Sequence, residues 1–400
     1  MKFAREVVIV DYLRSPYSRS RPTNPEQDLL NGYHMDEVLG LLWKEIIKRN
    51  KIDPRIIDES VVGCNRPVLE NWTNGGKNPT FFAELPVEVA GQQVDQGCGS
   101  AMDALRTAVM SIASGFAEVI ICGGIEHMTH LPLGPAMTAI ILNDKLRTDP
   151  RYKKYDIDFS LNMGLTAQKL QEMHGYTREE MDKWSVRSHQ LAAKAQKEGF
   201  FNGEIMPLEI TLQDGSKQMY DYDACVRPDT TLEALLKLRG AYKADGTITA
   251  GNSSPLNAGA TSMLIMSRDK AKALGLKPMA SFVSFGVVGV DPTIMGIGPI
   301  PASRKALAWA GLEAKDIDFW EINEAFSVVT IHAMKELGIP EEKVNIKGGG
   351  VAIGHPLGAS GLRLVGTLAR ILKLEGGEYG VATQCCGGGQ GITTIIKREH

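Results

Sequence analysis

The stretch Gly348-Gly-Gly-Val-Ala-Ile-Gly-His-Pro-Leu-Gly-Ala-Ser-Gly361 decides the fold, because its composition suits neither a helix nor a strand. Half of its residues are glycine or proline, and its one ionisable side chain is His355. Glycine loses more backbone entropy on folding than any other residue, so this density predicts a loop that approaches a ligand or takes positive φ. The alternative is a plain glycine-rich connection carrying an incidental histidine.

Two further glycine-rich turns carry cysteines, at Gln384-Cys-Cys-Gly-Gly-Gly-Gln-Gly391 and at Gly97-Cys-Gly-Ser100. A predicted strand, 87–94, precedes Cys98, and apolar residues at spacings of three and four follow it, which indicates a helix. Cys98 is therefore predicted to lie on a strand-to-helix turn. A helix N-terminus favours negative charge, so we expect a lowered thiol pKa for Cys98.

The pattern of strands and helices occurs twice along the chain. The first copy is predicted to contain strands 7–10, 60–64, 87–94 and 118–122, the last closed by Gly123-Gly124, with a helix at 35–48. The second contains strands 319–322, 344–346 and 379–383, with helices 324–336 and 361–374. Such a repeat predicts an α/β fold of two duplicated halves in five layers, α/β/α/β/α, with both glycine-rich sites at the join.

Domain boundaries follow from this repeat. We expect an N-terminal half at 1–128, completed by about 255–276, and a C-terminal half at 277–400. Residues 129–254 have a different texture, with charged helical stretches, of which 178–199 is the clearest, and few strand-like runs. We interpret 129–254 as an inserted loop lobe over the core.

The composition is that of an ordinary globular enzyme. The 400 residues are 43% hydrophobic and 23% charged, with a formal net charge of −3. This balance gives no reason to expect a nucleic-acid or anionic-membrane partner. No stretch approaches the ~18 uninterrupted apolar residues of a membrane span, and the charged start reads directly into a strand rather than a signal peptide.

Six cysteines in a chain of this length do not form a disulfide scaffold, which predicts a reducing, cytoplasmic setting. There is no Cys-x-x-Cys pair, and the adjacent Cys385-Cys386 pair is poorly suited to tetrahedral chelation, so no metal site is predicted. Cys64 and Cys122 follow apolar runs and are expected to be inert buried thiols.

Two cysteines and a histidine on glycine-rich turns indicate acyl transfer through a thioester. One thiol attacks a carbonyl after losing its proton to an imidazole, and N–H groups exposed by glycines hold the oxyanion. A hydrolase needs one nucleophile and one base. A second thiol, Cys385, therefore suggests separate proton-transfer work at a sulfur or an α-carbon.

The chain resembles the thiolase family from Val7 to Ile396, through five ordered segments. They are Cys98-Gly-Ser100, Gly123-Gly-Ile-Glu-His-Met128, Asn323-Glu-Ala-Phe326, Gly354-His-Pro-Leu-Gly-Ala-Ser-Gly361 and Cys385-Cys-Gly-Gly-Gly-Gln-Gly391. Glu126-His-Met128 and Asp291-Pro-Thr-Ile-Met-Gly-Ile-Gly-Pro299 are more similar to degradative 3-ketoacyl-CoA thiolases than to the biosynthetic acetoacetyl-CoA branch. The resemblance implies CoA-dependent cleavage of a 3-oxoacyl-CoA to acetyl-CoA and a shortened acyl-CoA, in β-oxidation or a related degradative pathway.

The resemblance also implies a role for each matching residue. Cys98 is the acylated nucleophile, His355 activates it, and Cys385 is the acid/base for acetyl-CoA. Asn323 holds a water that completes one oxyanion hole with His355, and the N–H groups of Cys98 and Gly387 form the other. The inserted lobe is expected to cover the CoA site.

Contacts to the substrate are implied in the same way. Ser254 touches the pantetheine of CoA and Arg227 its nucleotide end, while Met163 and Phe326 line the acyl-thioester tunnel. For Arg227 the alternative is a solvated surface charge, and for Met163 an ordinary core position. CoA is expected as a substrate, with no tightly bound cofactor. The resemblance also implies a homodimer or homotetramer, with a hydratase/dehydrogenase or other accessory subunit as a further partner.

The sequence departs from the family pattern beside the nucleophile, where Asp95-Gln-Gly97 replaces the usual asparagine, polar and bulkier apolar residues. Gly97 either widens the acyl pocket or only relaxes the turn, and Asn162 stands where the biosynthetic branch has histidine. Because of these departures, a branched, aryl or dicarboxylic 3-oxoacyl-CoA is an alternative to an ordinary straight-chain substrate.

Two other functions are alternatives to that of a thiolase: a decarboxylating condensing enzyme and a non-catalytic binding protein. Decarboxylating condensing enzymes share the expected fold but pair their cysteine with two histidines, or with histidine and asparagine, and lack a second catalytic cysteine. A non-catalytic lipid-carrier-like relative is expected to lose some of the four catalytic positions. All four, Cys98, Asn323, His355 and Cys385, are present in this chain.

Overall fold

The computed structural model describes residues 4–132 and 142–399. Its strands are β1 (Val7–Arg14), β2 (Ser18–Arg19), β3 (Glu59–Cys64), β4 (Ala90–Val94), β5 (Val119–His127), β6 (Leu208–Thr211), β7 (Lys217–Tyr220), β8 (Asn257–Ser267), β9 (Ala280–Gly289), β10 (Phe319–Ile322), β11 (Tyr379–Cys386) and β12 (Gln390–Arg398). Its helices are α1 (Met35–Asn50), α2 (Asn78–Phe82), α3 (Ser100–Ser114), α4 (Lys145–Thr148), α5 (Ile157–Ser160), α6 (Met163–His174), α7 (Arg178–Lys197), α8 (Leu232–Leu236), α9 (Arg268–Ala273), α10 (Pro299–Ala310), α11 (Ser327–Leu337) and α12 (Ser360–Glu375).

The main sheet repeats one strand order. In the N-terminal half the order is β4-β3-β5-β8-β1, and in the C-terminal half it is β10-β11-β12-β9, with Val344 bridging to the outer side of β10. Counted from the outer edge of each half, the first strand pairings are parallel, and the last two pairings before the join are antiparallel. The halves join through β1 and β9 at two residue pairs. The shared order is what the predicted duplication requires.

Three clusters of buried apolar side chains show how the helices are layered on the two halves of the sheet. Side chains of α3 and α12 fill the space between the two halves of the sheet. Helix α1 covers the outer face of the N-terminal half, and α10 and α11 cover the outer face of the C-terminal half. The central helices touch closely, because a Cβ on Gly361 would lie 2.3 Å from the nitrogen of Met102. The predicted α/β/α/β/α fold is confirmed.

The prediction that Gly123-Gly124 closes a strand is wrong, because β5 continues to His127. A Cβ on Gly123 would lie 2.4 Å from the Leu39 side chain, and one on Gly124 would lie 2.6 Å from Ala101. The two glycines therefore allow helices to pack directly on the sheet. They are packing positions and not a turn.

Two predicted elements near β10 also differ from the structure. Residues 344–346 form a single bridge rather than a strand, because Asn345 has a φ of +47° and its side chain bonds both the N–H and the C=O of Ile322. The helix predicted from Glu324 begins at Ser327. The Glu324 carboxylate is buried and accepts hydrogen bonds from Trp184 and Ser188, which holds this residue in a loop.

The segment between β5 and β8 contains α4 to α8 and the β6–β7 hairpin. Helix α7 begins with a full capping box at Thr177 and Glu180, and it packs on the loop before His355, where Ser188 Oγ accepts the N–H of Gly349 at 3.0 Å. Of the predicted domains, residues 1–3, 133–141 and 400 lie outside the described residues. No helix in the described ranges is both long enough and apolar enough to cross a membrane.

Candidate active site

The turn that carries Cys98 joins β4 to α3. Asp95 Oδ1 accepts the N–H of Gly97 at 2.8 Å, and Gly97 has a φ of +58°, a conformation that side chains disfavour. A Cβ at this position would lie 3.3 Å from the nitrogen of Gly387. This geometry supports the interpretation that Gly97 relaxes the turn, and it also keeps Gly387 close to Cys98.

The prediction of a lowered thiol pKa for Cys98 is wrong, because the pKa is raised. Only 8% of the residue is exposed, and burial raises the pKa to about 11. The N–H groups of Gly387 and of Cys98 itself oppose this rise, but they do not overcome the desolvation of a thiolate. Cys98 is therefore a thiol at rest and needs a base to become a nucleophile.

The His355 loop is pinned to the first residue of β8. The backbone N–H of His355 donates to Asn257 Oδ1 at 2.8 Å. Gly354 has a φ of +118°, and a Cβ there would lie 2.7 Å from Asn257 Nδ2. Glycine is required at this position because the backbone must pass against the asparagine.

Hydrogen bonds fix the tautomer of His355. Ser360 Oγ lies 2.6 Å from His355 Nδ1 and donates its own proton to the carbonyl of Pro356 at 2.8 Å. Ser360 must then accept from Nδ1–H, which leaves a lone pair on Nε2. Asn323 Nδ2 donates to that nitrogen at 3.2 Å.

The imidazole of His355 is neutral at physiological pH. Burial, together with the smaller effect of the Arg363 cation, lowers its pKa to about 3. A neutral ring with its lone pair on Nε2 can accept a proton, so His355 has the protonation state that a base for Cys98 needs.

Asn323 and Cys385 lie at the carboxyl ends of β10 and β11, and both side chains are fully buried. Asn323 Oδ1 has no hydrogen-bond partner among the described residues, so an acceptor is left free beside the imidazole. Burial raises the pKa of Cys385 strongly, and the nearby Cys98 raises it further. Cys385 therefore carries its proton at rest.

A cavity of about 790 Å³ opens onto these groups. Six of the predicted site residues line it, namely Cys98, His355, Gly387, Ser254, Met163 and Phe326. Asn323 and Cys385 are buried outside the lining. Arg227 is exposed and does not belong to the lining, so the structure does not bring it to the catalytic groups.

Sequence reasoning missed several residues that shape this cavity. Tyr242 lines it and packs edge-on against Phe326, with ring centroids 6.0 Å apart. Gln384 donates to the carbonyl of Cys98. A Cβ on Gly99 would lie 2.6 Å from Cys386 Sγ, so the second cysteine of the pair packs beneath the nucleophile's turn. Gln384 and Cys386 carried a sequence signal, since both belong to the glycine-rich turn at 384–391, whereas Tyr242 carried none.

Among the described residues, one group of side chains that could ligate a metal lies away from the cavity, at Glu70, His127 and His130. His130 Nδ1 already bonds a Glu70 oxygen at 2.7 Å, and the two imidazole rings are stacked 3.6 Å apart with planes 9° from parallel. Lone pairs in parallel rings do not converge on one point. We therefore interpret Glu70, His127 and His130 as a hydrogen-bonded stack and not as a metal site.

Comparison with known proteins decides the family. The family model of the thiolase N-terminal domain matches residues 7–269, and that of the thiolase C-terminal domain matches residues 276–398. The chain belongs to the thiolase family. Among thiolases it is 41% identical to a 3-ketoacyl-CoA thiolase of Marinobacter nauticus over 399 residues, covering 98% of each chain, and 40% identical to one of Hahella chejuensis, again covering 98% of each.

Solved thiolase structures have the same fold over the whole chain. Human mitochondrial 3-ketoacyl-CoA thiolase, solved also in complex with CoA, matches with a TM-score of 0.88, 33% identity and complete coverage of both chains. An acetyl-CoA acetyltransferase of Bacillus anthracis matches with a TM-score of 0.85, also at 33% identity and complete coverage. The resemblance stated from the sequence motifs is confirmed.

Proposed function

We propose that this thiolase cleaves a 3-oxoacyl-CoA with free CoA, giving acetyl-CoA and an acyl-CoA shortened by two carbons. The observation that carries the proposal is the grouping of four side chains: Cys98 and His355 line one cavity, Asn323 bonds His355, and Cys385 lies buried near Cys98. Relatives named 3-ketoacyl-CoA thiolase, alike over almost the whole chain, support it. The same residues catalyse the reverse Claisen condensation.

The first step forms an acyl-enzyme. His355 Nε2 takes the proton of Cys98, and the resulting thiolate attacks the 3-oxo carbon. The bond between C2 and C3 then breaks, which leaves the chain on sulfur and an acetyl-CoA carbanion. Cys385 donates its proton to that carbanion and becomes a thiolate. Its raised pKa suits it to hold the proton until a strong base appears.

Two oxyanion sites stabilise these steps. The N–H groups of Cys98 and Gly387 both face the Cys98 sulfur, where a tetrahedral intermediate would place its oxygen. Once protonated, His355 Nε2–H donates to the thioester oxygen of acetyl-CoA. The free Asn323 Oδ1 supports the proposal that a water completes this second site.

The second step regenerates the enzyme. The Cys385 thiolate takes the proton of free CoA, and the CoA sulfur attacks the thioester on Cys98. The shortened acyl-CoA leaves, and His355 returns its proton to the Cys98 sulfur. Each catalytic group thus ends in its starting protonation state.

CoA contacts are proposed from the lining of the cavity. Ser254 lies at its wall, with its backbone N–H held by the carbonyl of Ala325 at 3.0 Å, and we assign it to the pantetheine. Met163 Sδ would lie 3.6 Å from a Cβ on Gly387, and Met163 and Phe326 both belong to the lining, which supports the proposal that they border the acyl-thioester tunnel. For Arg227, contact with the nucleotide end remains a prediction, as does the role of 129–254 in covering CoA.

The physiological setting is part of the proposal. All six cysteines are free thiols, which supports the predicted reducing, cytoplasmic setting. We assign the reaction to β-oxidation or a related degradative pathway, as the names of the relatives suggest. A hydratase/dehydrogenase or other accessory subunit remains a prediction.

A panel of 3-oxoacyl-CoAs tests the function. We expect the substrate to disappear only when free CoA is present, with acetyl-CoA and the shortened acyl-CoA formed in equal amounts, measured by mass spectrometry. The panel includes linear, branched, aryl and dicarboxylic chains, because a wide acyl pocket is one of the two interpretations of Gly97. Release of a free acid would contradict the thiolase proposal. A preference for acetoacetyl-CoA with no turnover of bulky chains would contradict the wide pocket.

A second copy of the chain is the proposed partner at the edge of the sheet. β4 ends the sheet with its first three residues exposed, and the segment before it is anchored by Gln93 Nε2, which donates to the carbonyl of Asn71. That segment exposes Trp72 by 58% and Val87 by 76%. Unpaired strand edges beside exposed apolar side chains favour association.

The Trp72→Glu, Val87→Glu double variant is expected to convert a dimer or tetramer to a smaller species. The buried charges would have no partner across the interface. Light scattering after size exclusion measures the mass. Phe116→Glu is the matched control, because Phe116 is 88% exposed in a different loop. A monomeric wild type, or a double variant of unchanged mass, would show that this edge is not the interface.

A further inference from the structure

Arg66 is a buried cation in the wall of the catalytic cavity. It follows β3 and lines the same cavity as Cys98, with only 9% of the residue exposed. Its Nη1 donates to the carbonyl of Pro132 at 3.0 Å, whereas its Nη2 has no hydrogen-bond partner in the described part of the chain. A buried guanidinium without an anionic partner is costly unless something else binds there.

The backbone at Arg66 is also unusual. Its φ is +66°, although it is not glycine and it precedes Pro67, which restricts the preceding residue to extended conformations. Such conformations persist where the surroundings force them, and they occur often at ligand sites. The neighbouring Asn65 nitrogen lies 2.7 Å from the place where Gly358 would carry a Cβ, so the His355 loop packs directly against this turn.

The carboxylates around Arg66 do not satisfy it. Glu126 is buried, and burial raises its pKa to about 8, although Arg66 acts in the opposite direction. Glu126 therefore carries little charge at neutral pH, and it accepts hydrogen bonds from Asn71 and the backbone of Gly358 instead. Within residues 4–132 and 142–399, no ion pair involves Arg66.

The other charged groups of the cavity lining have partners. Arg147 pairs with Asp158 at 2.7 Å and with Asp144 at 3.7 Å. Asp95 accepts the N–H of Gly97 and contacts Ser100 Oγ. Arg66 differs from all of them, because its guanidinium bonds only one carbonyl.

We propose that Arg66 binds a terminal carboxylate on the acyl chain, so that the preferred substrates are 3-oxoacyl-CoAs of dicarboxylic acids. The proposal rests on the thiolase function and names its substrate class. A guanidinium offers donors in a planar fork that matches a carboxylate. A chain ending in methyl would leave the cation unpaired, so the site discriminates against the uncharged analogue as well as binding the charged one.

Matched substrate pairs test the proposal. 3-Oxoadipyl-CoA and 3-oxohexanoyl-CoA differ only in whether the chain ends in carboxylate or methyl, and 3-oxosuberyl-CoA and 3-oxooctanoyl-CoA form a longer pair. The readout is the ratio of kcat/KM within a pair, which cancels any general loss of active enzyme. We expect wild type to favour the dicarboxylic member in at least one pair by about 10-fold or more.

Arg66→Gln should lower that ratio by about 10- to 100-fold, and Arg66→Lys should retain part of it. Arg147→Gln is the matched control and should keep the wild-type ratio. If Arg66→Gln does not fold, the affinities of wild type for adipyl-CoA and hexanoyl-CoA give the same comparison. Equal affinities, a wild-type preference for methyl-ended chains, or an unchanged ratio in Arg66→Gln would overturn the substrate class and leave the thiolase function intact. If wild type cleaves none of the four substrates, both the substrate class and the thiolase function are overturned.

Discussion

Cys98→Ala is expected to reduce thiolysis by about 10⁵-fold or more and to abolish the acyl-enzyme, since loss of the nucleophile removes the covalent route entirely. His355 then has no other nucleophile to activate, because Cys385 is assigned to proton transfer and Cys386 packs, fully buried, beneath the Cys98 turn. Steady-state kinetics and the intact mass of the protein after incubation with an acyl-CoA measure the two effects.

Cys122→Ala is the control for this substitution. Cys122 is a buried cysteine in β5 and belongs to the central apolar cluster, so its removal should cost some stability and leave the chemistry in place. Acyl-enzyme formation by the Cys98→Ala variant, at any site, would contradict the assigned nucleophile.

Cys385→Ala is expected to separate the two chemical steps. The variant should still transfer an acyl group from acyl-CoA to Cys98, because His355 and both donors of the first oxyanion site are untouched. Thiolysis should fall by about 10³-fold, since no group remains to protonate the acetyl-CoA carbanion. Exchange of the acetyl α-hydrogens of acetyl-CoA with deuterated water should be lost as well, as NMR would show.

Cys122→Ala again provides the comparison, with exchange and thiolysis near wild type. Wild-type thiolysis in Cys385→Ala would mean that another group moves the proton and that the assignment of two separate cysteine roles is wrong. Loss of acylation as well would place Cys385 in the first step and would also contradict the account.

The sequence predicted the layers and the catalytic turns because both depend on local patterns. Apolar spacing predicted α3, and glycine density marked the loops that carry Cys98, His355 and Cys385. The prediction of a turn at Gly123-Gly124 is wrong because glycine is needed there for close packing against distant residues, Leu39 and Ala101. A one-dimensional pattern does not show which helix will pack against a strand.

Electrostatic properties were predicted less well than positions. A helix N-terminus suggested a reactive Cys98 thiolate, whereas burial raises the pKa of that thiol to about 11. Arg66 was not singled out, because its importance depends on an Nη2 that lacks a hydrogen-bond partner in the described part of the folded chain. Arg227 was assigned to CoA by resemblance, and the structure leaves its side chain outside the cavity lining. Burial and pairing are properties of the folded chain.

The most direct measurement is to locate the acyl group on the wild-type enzyme. The protein is incubated with an acyl-CoA in the absence of free CoA, digested at low pH, and its peptides are sequenced by mass spectrometry. The account predicts one acyl group, on Cys98, which disappears when CoA is added. An acyl group on Cys385 or Cys386, or none on any cysteine, would contradict it.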